Sequence, residues 1–222
     1  MYPAKARCVV LISGRGSNLD AILQASRCDD YPASVVAVVS NKADAAGLQL
    51  ARDAGIPAVV LPNADYADRP AYDATLQASI DAFAPDLVVL AGFMRILTPE
   101  FVAHYTNRLI NIHPSLLPAF PGLHTHQRAI DAGVRLHGCT VHFVTAELDH
   151  GPIIAQAALE VAEDDTAESL SAKVLKLEHQ IYPAAVRWFA EQRLQVTGLR
   201  VHVAGYQSRA TTLVAPQPEF LR

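Results

Sequence analysis

The sequence predicts an α/β protein: a mostly parallel, twisted sheet with helices on both faces. Three observations carry this. Strand-like and helix-like segments alternate along nearly the whole chain, the strand-like runs are almost continuously apolar, and no internal repeat or low-complexity linker breaks the alternation. Strands covered on both faces lose the in–out pattern of a half-solvated sheet, and parallel strands need crossover helices to cover them. Ligands on such sheets sit beyond the carboxyl ends of the strands.

Each element follows from local pattern. Arg7–Ser13 is a β-rich apolar run, and Ser17 or Asn18 can cap a helix whose Leu19, Ile22, Leu23 and Ser26 follow the i, i+3, i+4, i+7 stripe. SVVAVVS (34–40) is a second buried strand, Ala43–Ala54 a helix that Gly55 can end, and Ala58–Leu61 a short strand. Pro70–Phe83 places Tyr72, Leu76, Ile80 and Phe83 on one side of a helix that stops before Pro85. DLVVLA (86–91) is a strand, and Thr98 with Pro99 starts a helix through about Tyr105. A buried strand from Arg108 ends in NIHP, Arg128–Ala132 is a short helix ending at Gly133, and Cys139–Val144 and Ile153–Val161 are strands. Asp165–Gln192 is a long helix, with Asp165 and Glu168 as an acidic variant of the capping box. Val196–Val203 forms a last strand, and Gln207–Arg222 reads as a loose extension.

Composition narrows the function. The chain has 222 residues, half of them hydrophobic, which fits one domain with a substantial core. The longest apolar runs are strand-sized, far short of the ~20 residues that span a bilayer, and the run behind Lys5 and Arg7 is too short for a secretory leader. Cys8, Cys28 and Cys139 form no CxxC, which fits a reducing, cytoplasmic setting. A net charge of −4 with no basic stripe argues against nucleic acid as a partner.

LISGRGSNLDAI (11–22) is a strand, a tight Gly-x-Gly turn and a helix start, whose backbone N–H groups and macrodipole suit a phosphate. A dinucleotide fits poorly. Leu19 replaces the third glycine of GxGxxG, and Asn41 and Lys42 stand where an acid would meet a ribose. Neither is there a P-loop Gly-Lys-Ser/Thr. A small phosphorylated metabolite is the better match.

Asn111 and His113 lie two apart at a strand end, so they share a face. An amide N–H and an imidazolium can both point at an oxygen that becomes negative as a carbonyl turns tetrahedral, which describes acyl transfer. Asp149, in the Gly/Pro-punctuated ELDHGPII, is the carboxylate that can favour the charged ring. With no Gly-x-Ser-x-Gly elbow, direct attack by the acceptor is expected. His124, His126, His137 and His142 lack an HExxH or Cys/His pattern, so no metal is expected.

ISGRGSNLDAI, VVSNKADAAGL, VVLAGFMRIL, LINIHPSLLPAFPGLHTHQRAI, GCTVHFVTAELDHGPII and LEHQIYP run in order over roughly residues 8–190. Together they resemble the folate-dependent phosphoribosylglycinamide formyltransferase family of purine biosynthesis. The resemblance implies a Rossmann-like formyltransferase fold. It also implies transfer of a formyl group from the co-substrate 10-formyltetrahydrofolate to the amine of glycinamide ribonucleotide (GAR). Asn111, His113 and Asp149 would be the catalytic trio, Gly16, Ser17 and Asn18 would grip the phosphate of GAR, and Glu178 would face its ribose. Arg69, Met94, Arg95, Ile96 and Leu97 would meet the folate; without the resemblance, residues 94–97 read as ordinary core and Glu178 as a solvated acid. Arg15 in the glycine turn and His150 after Asp149 depart from the pattern without removing a required group.

The expected organisation is one formyltransferase domain over 1–222. About 1–105 is its phosphate-binding half, about 106–195 its catalytic and folate-binding half, and 196–222 a tail, in a monomer or homodimer. Three alternatives compete. Methionyl-tRNA formyltransferase shares Asn-x-His and the Asp but would need a C-terminal RNA-binding domain and a basic surface. Formyltetrahydrofolate deformylase shares the fold and trio but usually carries an N-terminal regulatory domain, for which the roughly seven residues before the first strand leave no room. A NADP-binding module would use the glycine turn alone and leave Asn111, His113 and Asp149 without work.

Overall fold

The computed structural model describes residues 4–208 and 213–216. Its strands are β1 (Ala6–Ile12), β2 (Ala33–Ser40), β3 (Ala58–Val60), β4 (Leu87–Leu90), β5 (Leu109–His113), β6 (Leu136–Phe143), β7 (Ile153–Glu160), β8 (Leu194–Thr197) and β9 (Arg200–Val203). The helices are α1 (Ser17–Ser26), α2 (Gly47–Asp53), α3 (Arg69–Asp81), α4 (Pro99–His104), α5 (Thr125–Asp131) and α6 (Ala167–Ala190). The strands form one sheet in the order β3-β2-β1-β4-β5-β6-β7-β9-β8. From β3 to β5 every pairing is parallel; β6 then runs antiparallel to both β5 and β7.

Alternation along β1 sorts its side chains into two cores. Cys8, Val10 and Ile12 face α1, α2 and α6 through Leu19, Ile22, Leu48, Leu170, Val174 and Tyr182. Val9 and Leu11 face α3 and α4 through Tyr72, Leu76, Ile80, Phe101 and Tyr105. Each fully buried aliphatic side chain contributes roughly 1.5–3 kcal/mol of transfer free energy, so the two layers lock the sheet from both sides. The hydroxyl of Tyr182, on α6, donates to the carbonyls of Leu90 (2.9 Å) and Ile110 (3.3 Å) and so ties that helix to the adjoining β4 and β5.

Several boundaries differ from the sequence reading. Helix α2 begins at Gly47 rather than Ala43, because the chain from Lys42 first makes turns. A short 3-10 turn at Asn63–Asp65 was not expected. Helix α5 starts three residues before Arg128, and β6 three before Cys139. The capping box of α6 is Thr166 with Ser169, not Asp165 with Glu168. The Asp165 carboxylate instead accepts from Ala162 N–H, Ser169 Oγ and Lys173 Nζ. The single strand expected over Val196–Val203 is a hairpin, β8 and β9, turning at Gly198, whose φ is +58°. Most of the extension expected at Gln207–Arg222 lies outside the described residues.

Candidate active site

The first component is the turn between β1 and α1. Gly16 occupies the N-cap position in the left-handed region (φ +77°), and no side chain caps the helix. The capping role expected of Ser17 or Asn18 is therefore not observed: both are inside the first turn, whose N–H groups stay free of side-chain caps. Gly16 must be glycine for two reasons, its positive φ and its fit, since a Cβ there would come 2.7 Å from the Cα of Gly47. Gly47 closes the contact by donating its N–H to the Gly14 carbonyl at 3.0 Å.

Asn18 and Glu178 meet although 160 residues separate them: Asn18 Nδ2 donates to Glu178 Oε2 at 2.7 Å. Glu178 is 7% exposed, which overturns the reading of a solvated acid. Burial pushes its pKa up, and the Asn18 hydrogen bond opposes that rise. Asn18 Oδ1 is buried with no partner among the described residues.

The second component lies on β5 and β6, on the sheet face that carries α3 and α4. Asn111 pairs across the strands with His142, and His113 with Thr140, so the four side chains share one face. Asn111 Nδ2 donates to His142 Nε2 at 3.4 Å. His113, 5% exposed, donates from Nε2 to the carbonyl of Phe120 at 2.9 Å and turns Nδ1 to Asp149 Oδ2 at 3.4 Å. Asp149 is held in place by the N–H of Gly122, which donates to Oδ2 at 2.8 Å, and its Oδ1 lies 3.9 Å from His142 Nε2. An amide, two imidazoles and a carboxylate therefore form a continuous polar chain. Both ring nitrogens of His113 are engaged here, so its N–H reaches a reacting oxygen only by exchanging the Phe120 carbonyl for it.

The third component is the loop after β4. Gly92 (φ +75°) turns the chain, and Met94 N–H donates to Ser13 Oγ at 2.8 Å, fastening this loop to the residue before the glycine turn. Met94 and Ile96 are 67% and 56% exposed, so the reading of these two as core does not hold; Leu97 is buried. The Arg95 guanidinium lies over the Tyr72 ring, 4.1 Å from its centroid. Arg69 is exposed at the first position of α3. Exposed apolar side chains beside fixed backbone donors and acceptors suit a flat heteroaromatic group.

The sequence alone offers His142 no role beyond the metal ligation it argues against. Its position opposite Asn111 depends on strand register, which no local motif reports. Among the described residues no three His, Cys, Asp or Glu side chains are grouped to hold a metal ion. His126 and His137 instead hydrogen-bond ring to ring, Nδ1 to Nε2, at 3.2 Å. A cavity of about 710 Å³ lies away from this site, lined by residues such as Lys5, Arg7, Arg108 and Phe189. No described helix is long and apolar enough to cross a membrane.

Comparison with known proteins gives the family. Residues 6–186 match the formyl transferase family model. The chain is 54% identical to phosphoribosylglycinamide formyltransferase of Escherichia coli (strain K12), over 85% of this chain and 89% of that protein. The crystal structure of glycinamide ribonucleotide transformylase 1 from Symbiobacterium toebii superposes with a TM-score of 0.88 at 50% identity, covering 90% of this chain and 94% of that one. Phosphoribosylglycinamide formyltransferase from Coxiella burnetii, solved with CHES, gives a TM-score of 0.86 at 48% identity, again over 90% and 94%. A family model spanning residues 6–186, a relative 54% identical and a fold that superposes at a TM-score of 0.88 leave one assignment: the chain belongs to the formyl transferase family, among the phosphoribosylglycinamide formyltransferases.

Proposed function

We propose that the chain transfers the formyl group of 10-formyltetrahydrofolate to the primary amine of GAR by direct attack, in the cytoplasm as part of purine biosynthesis. The amine lone pair adds to the formyl carbon, the carbonyl electrons move to oxygen, and the C–N bond to the folate breaks as the oxyanion collapses. The amine loses one proton and the folate nitrogen gains one, so the reaction balances without an external acid. Asn111 supplies an N–H to the developing oxyanion, and His113 adds its Nε2–H on exchanging the Phe120 carbonyl for that oxygen. Asp149 Oδ2, 3.4 Å from His113 Nδ1, orients the ring while protons move.

The phosphate of GAR rests on the free N–H groups of Gly16, Ser17 and Asn18, and its ribose faces Glu178. Arg69, Met94, Arg95, Ile96 and Leu97 take the folate. The chain reads as one formyltransferase domain whose parts share both substrates: the glycine turn and the 94–97 loop come from the first part, the trio and Glu178 from the second. The observation that carries this reading is that Asn111 and His113 share one sheet face and meet a common carboxylate: Asp149 lies 3.4 Å from His113 and is joined to Asn111 through His142, at 3.9 and 3.4 Å.

Folate absorbance measured with and without GAR tests it. Formyl loss should require GAR; equal loss without GAR would make the protein a deformylase. His113→Ala should lower kcat by about 10²–10⁴-fold with GAR affinity nearly intact, because the ring acts on the transition state. A change confined to KM would remove His113 from the chemistry.

A further inference from the structure

Asn111 can serve an oxyanion only with its NH2 end turned into the site. A half-turn about the last side-chain bond would present the carbonyl instead, at nearly the same shape and with the opposite electrostatic effect. Something must therefore choose between the two ends, and the neighbour across the sheet is His142.

His142 is 2% exposed, and its Nδ1 lies 2.9 Å from the carbonyl of Phe143. A carbonyl only accepts, so Nδ1 carries the hydrogen, and in the neutral ring Nε2 is a bare acceptor. That acceptor faces Asn111 Nδ2 at 3.4 Å. It attracts the amide N–H and repels the amide oxygen. One N–H of Asn111 is thereby spent on the ring, and the second forms no hydrogen bond among the described residues.

We infer that His142 is a positioning residue, a buried hydrogen-bond acceptor that fixes which end of the Asn111 amide meets the reacting carbonyl. The inference rests on the oxyanion role proposed above for Asn111. The ionisable groups facing the ring are Asp149, 3.9 Å from Nε2, and His113 of β5. Burial, the leading influence, holds the His142 pKa below its ordinary value and keeps Nε2 unprotonated near neutrality; the Phe143 hydrogen bond and Asp149 oppose it. A protonated Nε2 would instead reject the amide N–H and attract Asp149 Oδ1.

A double-mutant cycle on the intact protein tests the assignment, with kcat read at saturating GAR and formyl-folate. His142→Leu should lower kcat about tenfold or more and leave both KM values within about threefold. His142→Gln keeps an acceptor within reach of Asn111 and should recover most of that loss. In an Asn111→Ala background, His142→Leu should have no further effect on kcat, since the group it orients is gone. Multiplicative losses in the double variant would overturn the inference while leaving the oxyanion role of Asn111 intact. If Asn111→Ala itself left GAR-dependent turnover unchanged, the oxyanion role would fall first, and this inference with it. Should His142→Leu fail to fold, His142→Gln with and without Asn111→Ala carries the test: a tenfold loss for Gln in the Asn111 background would contradict the acceptor role.

Discussion

The carboxylate of Asp149 shows how one residue can be constrained from several directions. Its backbone is left-handed (φ +52°), a conformation that non-glycine residues adopt at a cost of order 1 kcal/mol or more, and the Gly122 N–H and the two imidazoles surround its oxygens. Asp149→Asn preserves shape and removes the charge opposite His113, so kcat should fall by roughly 10²-fold, read by steady-state assay at fixed pH. An unchanged kcat would show that the carboxylate only anchors its loop. In the glycine turn, Ser17→Asp places a negative charge where the helix N-terminus offers N–H groups to a phosphate. GAR binding should weaken by tenfold or more, measured by calorimetry, with formyl-folate affinity unchanged. The pair Asn111 and His113 was legible because strand periodicity alone puts i and i+2 on one face. His142 was not, because its partner lies 31 residues away across an antiparallel ladder. Nor was the Asn18–Glu178 bond, which brings the two ends of the family region together.

At the scale of elements, local signals were read well where the physics is local. The Thr98 cap, the apolar stripe of α3 and the buried strands all appear as their sequences dictate. Two misplaced caps have identifiable causes. Thr166 takes the N-cap of α6 because Asp165 is drawn to Ala162 N–H and Lys173, and Gly16 takes that of α1 because the chain must pass close to α2. That close passage yields a prediction. In Gly47→Ala the new Cβ would lie 2.6 Å from Ile12 Cδ1 and 3.0 Å from Gly16 Cα. The overpacking should cost about 1–3 kcal/mol in denaturant unfolding and displace the glycine turn, raising KM for GAR more than KM for formyl-folate. Equal changes in both would mean that the turn does not register the contact.

The whole molecule carries a set of imidazoles that the fold keeps neutral. Burial pushes His137 down to about 4, and it also lowers His126 and His142. Each of these rings binds a proton in the unfolded chain at a higher pH than in the folded one. The stability contributed by these rings should therefore be fully present above pH 6.5, the ordinary histidine value, and decline as pH falls from there toward about 4. Melting temperatures across this interval should show the decline, and His137→Gln should flatten part of it; an equally steep profile in the variant would assign the loss elsewhere. A different constraint runs through α6. Tyr182, hooked onto the carbonyls of Leu90 and Ile110, stands one helical turn from Glu178. A turn spans about 5.4 Å and barely stretches, so this helix works as a gauge block. The span from the strand carrying Asn111 to the Glu178 carboxyl is set by helical pitch, and for a substrate held at both, as proposed, one bond too many or too few would cost an anchorage.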